Sequence, residues 1–257
     1  MTPNFYIFFG IIGLIFGSFF NVVIHRLPKV LNKNLTNKNT KLSLVKALSY
    51  PNSHCPSCKK SIKWFDNIPV LSWLFLQGKC RQCQKKISSL YALVELTTMC
   101  AFMFVYWQYG LSFAALGWVV FFSLIILLFF IDLTSFYLPD IFTYPLIGAG
   151  LLMSFVGLSG IHFTSALIGC ALGFLIFFGI NLLYKKWRGI DGFGASDKIL
   201  LAGLGSWLGF KSLYPIIMFS SLFGLLFMVV MLAFGRKYKM ETMLPFGPFL
   251  ILSSLLV

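Results

Sequence analysis

Apolar runs of membrane length follow one another along this chain, separated by short polar breaks, except between about residues 25 and 88, where the pattern turns polar. The runs lie near residues 4–24, 89–109, 111–131, 141–159, 162–184, 196–210, 212–234 and 245–257, and each predicts a helix. At a rise of about 1.5 Å per residue, five of them can cross a hydrocarbon core about 30 Å thick. Those starting near 141, 196 and 245 are short or interrupted by glycine. The pattern therefore predicts an all-α, polytopic membrane protein with about eight transmembrane helices. Residues 1–24 form the first helix, 25–88 a cytoplasmic loop, and 89–257 a helical membrane core. The first run lacks a basic flank and a small-residue cleavage site, so it is expected to persist as a helix rather than be removed. Gly10, Gly13 and Gly17 in the first run, Gly169 and Gly173 in the fifth, and Gly203, Gly205 and Gly209 in the sixth recur at spacings that let helix backbones approach closely.

Composition agrees with this picture: 58% of residues are hydrophobic, 18% are aromatic and the mean hydropathy is +0.86, which excludes an ordinary water-soluble domain. The net charge of +14 sharpens it. Thirteen lysines and arginines fall within residues 25–90 and seven more in loops or helix ends on the same side, against Lys211 alone on the other. The positive-inside rule makes the basic side cytoplasmic, and an even number of spans then puts both termini outside the cytoplasm. Basic residues spread over every inner loop are what membrane insertion demands, so no nucleic-acid partner is expected; anionic lipid headgroups are the natural neighbours.

The polar excursion has two halves. Residues 27–50 are rich in Asn, Lys and Thr and read as a mobile linker with one short amphipathic helix near Leu42 to Leu48. The second half carries HCPSC and KCRQC, which place Cys55 with Cys58 and Cys80 with Cys83. Each C-x2-C pair sets two sulfurs on one turn, and two such turns can close a tetrahedral shell around zinc. Thiols on the cytoplasmic side stay reduced, which favours metal over disulfides, with redox dithiols as the other reading. Four thiolates leave no open coordination position, so the expected zinc is structural. The aromatic segment between the pairs, KKSIKWFDNIPVLSWLFLQG, is expected to lie on the inner membrane surface. Cys100 and Cys170, inside apolar runs, are expected only to pack.

Only seven acids occur in 257 residues, so each one beside an apolar run requires an explanation. Asp132 ends the third run and Asp197 begins the sixth, which puts both carboxyls on the same membrane face. Either alone could be a helix cap or a lysine partner. Together they suggest an aspartyl protease, in which two carboxyls share a proton and a water so that one acts as base and the other donates to the carbonyl oxygen. Asp140, after Pro139 at a helix start, reads as structural or as a support behind the site. Glu95, a lone acid inside the second run, faces a protein interior or polar cavity, where it shapes a cleft or recognises substrate. Asp66 with Asn67 is expected to order the cysteine loop, while Asp191 and Glu241 read as solvated loop charges.

In their order along the chain, these segments resemble the type IV prepilin leader peptidase and N-methyltransferase family of aspartic membrane enzymes. The resemblance is carried by GSFFNVVIHRLP, HCPSC, WFDNIPVLSWLFLQGKCRQC, ISSLYALVELTT, IDLTSFYLPD, GFGASDKILLAGLGSWLG and LPFGPFL, and covers essentially the whole chain. It implies that Asp132 and Asp197 are the catalytic pair. It also implies cleavage of the basic leader of type IV prepilins and pseudopilins at the cytoplasmic face of the bacterial inner membrane, after a glycine and typically before a phenylalanine. A methyl transfer from S-adenosylmethionine to the new amine would follow. No glycine-rich motif of a soluble methyltransferase occurs, so the loop over 25–88 is the candidate for that second activity. Ser196 stands where the usual G-x-G-D pattern has its second glycine, which bears on the geometry of that loop. The rival classes are a peptidase without methylation, a presenilin-type intramembrane protease, and a zinc-knuckle scaffold with no activity; separate replacement of Asp132 and Asp197 discriminates the scaffold.

Overall fold

Helix α1 runs from Pro3 to Thr36. Its 34 residues span about 51 Å, well beyond a hydrocarbon core of about 30 Å. The apolar stretch ends at Leu31, so the helix carries Arg26, Lys29 and Lys33 through and past the end of its apolar part. The expected exit into a loop at His25 is thus replaced by continued helix, even through Pro28. The computed structural model of the chain describes residues 3–36, 48–49, 54–55, 57–189, 194–234 and 245–257. The amphipathic helix expected near Leu42 to Leu48 falls almost wholly outside them.

The chain divides into two units, residues 1–115 and 116–257. In the first, α1 pairs with α3 (Leu90–Tyr109). A methyl group added at Gly13 would come within 2.7 Å of the Met99 Cα, and one at Gly17 within 2.7 Å of the Glu95 Cα. The two backbones are therefore in contact along a glycine stripe, as the spacing of small residues anticipates. Phe9 and Tyr6 close the far end on Tyr106, with ring centroids 5.0 Å and 4.8 Å apart. Between α1 and α3 in sequence lie the cysteine segment, a 3-10 turn at Trp64–Asn67 and the short helix α2 (Leu71–Phe75).

The second unit holds α4 (Phe113–Ser135, whose first residues belong to the preceding unit), α5 (Asp140–Phe155), α6 (Phe163–Arg188), α7 (Asp197–Leu208), α8 (Leu213–Ala233) and α9 (Gly247–Ser254). Its centre is α7, apolar nearly all round, as a helix enclosed by others must be. It packs between α5 and α6. Gly169 on α6 abuts the Gly205 carbonyl, Gly173 leaves only 2.7 Å between a would-be Cβ and the Leu201 carbonyl oxygen, and Gly203 fits under Leu146 of α5. Leu200, Leu204 and Trp207 join Phe121 and Ile125 of α4, Leu146 and Phe177 in one core. The Trp207 indole N–H donates to the Leu146 carbonyl at 2.8 Å, which satisfies the one polar atom that so large a buried ring brings with it.

Helices occur at all eight expected places, and no strand occurs among the described residues. Five helices, α1, α3, α4, α6 and α8, are long and apolar enough to cross a membrane. With 16, 12 and 8 residues, α5, α7 and α9 are shorter than a span. Eight full crossings are therefore not what the helix lengths give: α7 serves as a buried core element.

Candidate active site and metal centre

In the second unit, the last turn of α4 and the first residue of α7 bring two carboxyls into one buried place. Asp132 is 4% exposed and Asp197 8% exposed, and the charge of Asp197 acts directly on Asp132. The Oδ2 atom of Asp132 is buried without a hydrogen-bond partner. It lies against Gly247 at the start of α9, where a Cβ would collide with the carboxylate and with Leu138. The chain after α4 reaches this position through Phe136, a non-glycine residue at φ 53° whose amide donates to the Asp132 carbonyl at 2.9 Å. Such left-handed backbone costs roughly 1 kcal/mol or more and persists where surrounding packing imposes it.

Asp197 is oriented from below. Its Oδ2 accepts the Gly194 amide at 3.0 Å, and a Cβ at Gly194 would sit 2.9 Å from that same oxygen. The glycine the site needs is therefore Gly194. Ser196, by contrast, has φ −88° and ψ −16°, a conformation open to any residue, so the departure from the G-x-G-D pattern leaves the local backbone unstrained. The Lys198 ammonium lies 5.6 Å from the ring centroids of both Phe174 and Phe178, which stack on each other. Its charge is directed at aromatic faces on α6. Asp140 is exposed in the first turn of α5 and does not share the buried position. Asp191 and Glu241 lie outside the described residues.

The first unit holds the cysteines on two matching knuckles. The Cys55 amide donates to the Lys60 carbonyl and the Lys59 amide to the Cys55 carbonyl, while Cys80, Lys85 and Gln84 repeat the arrangement, all at 2.9–3.0 Å. The residue after each second cysteine, Lys59 or Gln84, takes a positive φ of 57° or 56°. Single bridges between His54 and Ser61 and between Lys79 and Lys86 close the two turns. The four sulfurs of Cys55, Cys58, Cys80 and Cys83 lie within 4.8 Å of one another, with Cys55 and Cys83 3.8 Å apart. Tetrahedral zinc with bonds of about 2.3 Å requires sulfurs about 3.8 Å apart, so the cluster fits that ion. The Cys58 amide, chief among the groups acting on it, holds the Cys55 thiol down at about 6. Cys83 is pushed up to about 11: the Lys85 amide favours its thiolate, but desolvation and the three neighbouring sulfurs outweigh it. Sulfurs this close cannot ionise together without a cation among them.

Asp66 orders the cysteine segment by a forked pair with Arg81 at 2.7–3.0 Å. Glu95 is 8% exposed; its Oε2 accepts the Val70 amide at 2.7 Å and its Oε1 accepts the Asn21 side-chain amide at 3.3 Å. Val70 stands at φ 61°, a strained conformation for a β-branched residue, and presents its N–H to that carboxylate. Glu95 thus ties the cysteine segment to α1 and α3. A lone acid inside an apolar helix signalled an interior contact, but the partners lie 74 and 25 residues away, beyond any sequence pattern. Asn21, a polar residue within an apolar run, was the available sign of its partner.

The described residues thus combine long apolar helices, two buried aspartates and four thiols close enough to hold a metal ion. Residues 11–109 match the Bacterial Peptidase A24 N-terminal domain and residues 119–229 the type IV leader peptidase family. The chain is 38% identical to the prepilin leader peptidase/N-methyltransferase of Neisseria gonorrhoeae, over 96% of this chain and 88% of that protein. It is 37% identical to the type 4 prepilin-like proteins leader peptide-processing enzyme of Escherichia coli O78:H11, over 95% and 89%, and 36% identical to the prepilin leader peptidase/N-methyltransferase of Pseudomonas aeruginosa, over 95% and 86%. No solved structure gives a significant match. The chain belongs to the type IV leader peptidase family, and it is an enzyme.

Proposed function

We propose that this enzyme removes the leader of type IV prepilins and pseudopilins at the cytoplasmic face of the bacterial inner membrane, using Asp132 and Asp197. It then methylates the exposed N-terminal amine with S-adenosylmethionine. The observation that carries the peptidase reading is the shared burial of two carboxyls, with the charge of Asp197 acting on Asp132. Two such groups hold one proton between them. The ionised carboxylate takes a proton from water as its oxygen attacks the scissile carbonyl, while the protonated partner donates to the carbonyl oxygen. Collapse of the resulting diol breaks the C–N bond as the amine leaves with a proton from the dyad. No covalent enzyme intermediate is needed. The Gly194 amide fixes Asp197, and Gly247 lets the backbone at the start of α9 lie against the Asp132 carboxylate.

Methyl transfer is supported by the names of the relatives and by the presence of the whole N-terminal unit that they share. In that step the sulfonium–methyl bond breaks as the neutral amine forms its N–CH3 bond, and the extra proton passes to solvent. Cys55, Cys58, Cys80 and Cys83 would hold a structural zinc, which supplies folding energy rather than chemistry. Purified protein incubated with a prepilin peptide and S-adenosylmethionine, followed by mass analysis, tests both activities: loss of the leader reports the first and a gain of one methyl group the second. Full processing by Asp132→Asn or Asp197→Asn protein would overturn the catalytic assignment.

A further inference from the structure

The first unit contains a cleft of about 640 Å³ bounded by α1, the cysteine segment and α3. That size is in the range of sites for cofactor-sized ligands. Three buried polar atoms on its lining have no partner: the Asn21 Oδ1, the His25 Nε2 and the Trp73 Nε1. Asn21 is only 4% exposed, and its side-chain amide nitrogen is committed to the Tyr91 carbonyl at 3.0 Å and to Glu95, so its oxygen is the acceptor left over. An unmet polar group at this depth costs about 1–3 kcal/mol unless a ligand meets it. The unmet set is one acceptor, one indole N–H donor and one imidazole nitrogen able to do either. Flat apolar faces stand beside them, since His25 stacks on Tyr91 with centroids 4.6 Å apart. Cations such as Lys29 complete the lining.

That combination matches a purine, which carries an amino donor next to ring-nitrogen acceptors on a stackable plane, attached to a group with a carboxylate for the basic residues. We infer that this cleft binds the adenosyl methyl donor, with its base among Asn21, His25, Trp73 and Tyr91. The inference rests on the methyl-transfer reading above and goes further by locating its donor site. S-Adenosylmethionine brings a carboxylate for the lysines and arginines of the cleft, which a basic prepilin leader would meet only with like charge, the acids Glu95 and Asp66 being already engaged.

Full-length, metal-loaded protein carrying His25→Phe or Trp73→Phe keeps an aromatic ring at the position and removes the ring nitrogen. Each change should raise the KM for S-adenosylmethionine about tenfold with kcat for methylation less affected, while leader cleavage and bound metal, the controls for folding, stay as in the unmodified protein. S-adenosylhomocysteine should compete for the site and ATP should not. If both variants methylate with an unchanged KM, the location is wrong and the methyl-transfer reading stands. Unmodified protein that cleaves but neither binds nor uses S-adenosylmethionine removes that reading and the site with it. Stronger competition by ATP than by S-adenosylhomocysteine would assign the cleft to a phosphorylated ligand and overturn the proposal.

Discussion

The two units solve the same problem, holding polar groups beside apolar helices, by opposite means. In the second, Asp132 and Asp197 are enclosed by close helix packing: glycines bring α6 and α7 into backbone contact, and the Gly194 amide orients Asp197. In the first, the glycine stripe joins α1 to α3, but the cysteine segment is attached by individual polar ties: Glu95 to Val70 and Asn21, Asp66 to Arg81, and the four sulfurs to one another. Packing tolerates little change of volume. Polar ties fix a segment that has no core of its own, at the expense of depending on a few atoms. The proposed function places cleavage in the packed unit and methyl transfer in the tied one, and variants that act on one unit alone can break that division.

The largest separation is expected from the acids. Asp132→Asn and Asp197→Asn should each lower cleavage at least about a thousandfold, as loss of one member of a catalytic set does, while methylation of a pre-cleaved peptide continues. Asp140→Asn should stay within about threefold of the unmodified enzyme in the same peptide assay. Equal loss of both activities in the Asp132 variant would show that the units do not work separately.

Next come the cysteines. Replacing Cys55 and Cys58 with serine should reduce bound metal from about one ion per chain to none, measured by elemental analysis. It should also lower the protein's abundance, because a structural zinc contributes about 10 kcal/mol or more to the fold that holds it. Methylation should fall at least as far as cleavage in whatever protein remains. A metal-free preparation with both activities intact would remove the cluster's structural role.

How much of this was legible in the sequence depended on whether a signal was local. The helices were, because each is an apolar run, and the five membrane-length helices are the five runs that were long enough. So were the sulfurs, since each C-x2-C pair fixes its own knuckle, and the places of Asp132 near the end of one helix and Asp197 at the start of another. The extension of α1 through Pro28 to Thr36 was not, because the polar residues beyond residue 24 read equally well as loop. The enclosure of α7 was not either: a 12-residue apolar run looks the same whether it faces lipid or other helices. Long-range ties such as Asn21 to Glu95 leave in sequence only the oddity of a polar residue among apolar ones.

A moderate effect is expected at Glu95. Glu95→Gln keeps the shape but removes the charge from its bond to the Val70 amide, a loss of about 1 kcal/mol or more. Hydrogen exchange around Val70 and Trp73 should accelerate, and methylation should drop severalfold while cleavage changes less than twofold. Unaltered exchange at Val70 would mean the tie is not what holds the segment.

The smallest structural change lies in the turn before α7 and tests packing at the scale of one methyl group. Gly194→Ala adds a Cβ 2.9 Å from the Asp197 Oδ2, closer than side-chain carbons and carboxylate oxygens ordinarily come, so the carboxyl must shift by a few tenths of an ångström. Displacements of that order in a catalytic group cost about tenfold in rate. Ser196→Gly, which restores the usual pattern, should change cleavage less than twofold, because Ser196 holds an ordinary right-handed backbone that gains nothing from glycine's freedom. Measured together on one peptide, the two variants separate a glycine required by space from a serine that the site accommodates. If Ser196→Gly raises cleavage tenfold while Gly194→Ala leaves it unchanged, the carboxyl of Asp197 is positioned through residue 196 and not through the Gly194 amide.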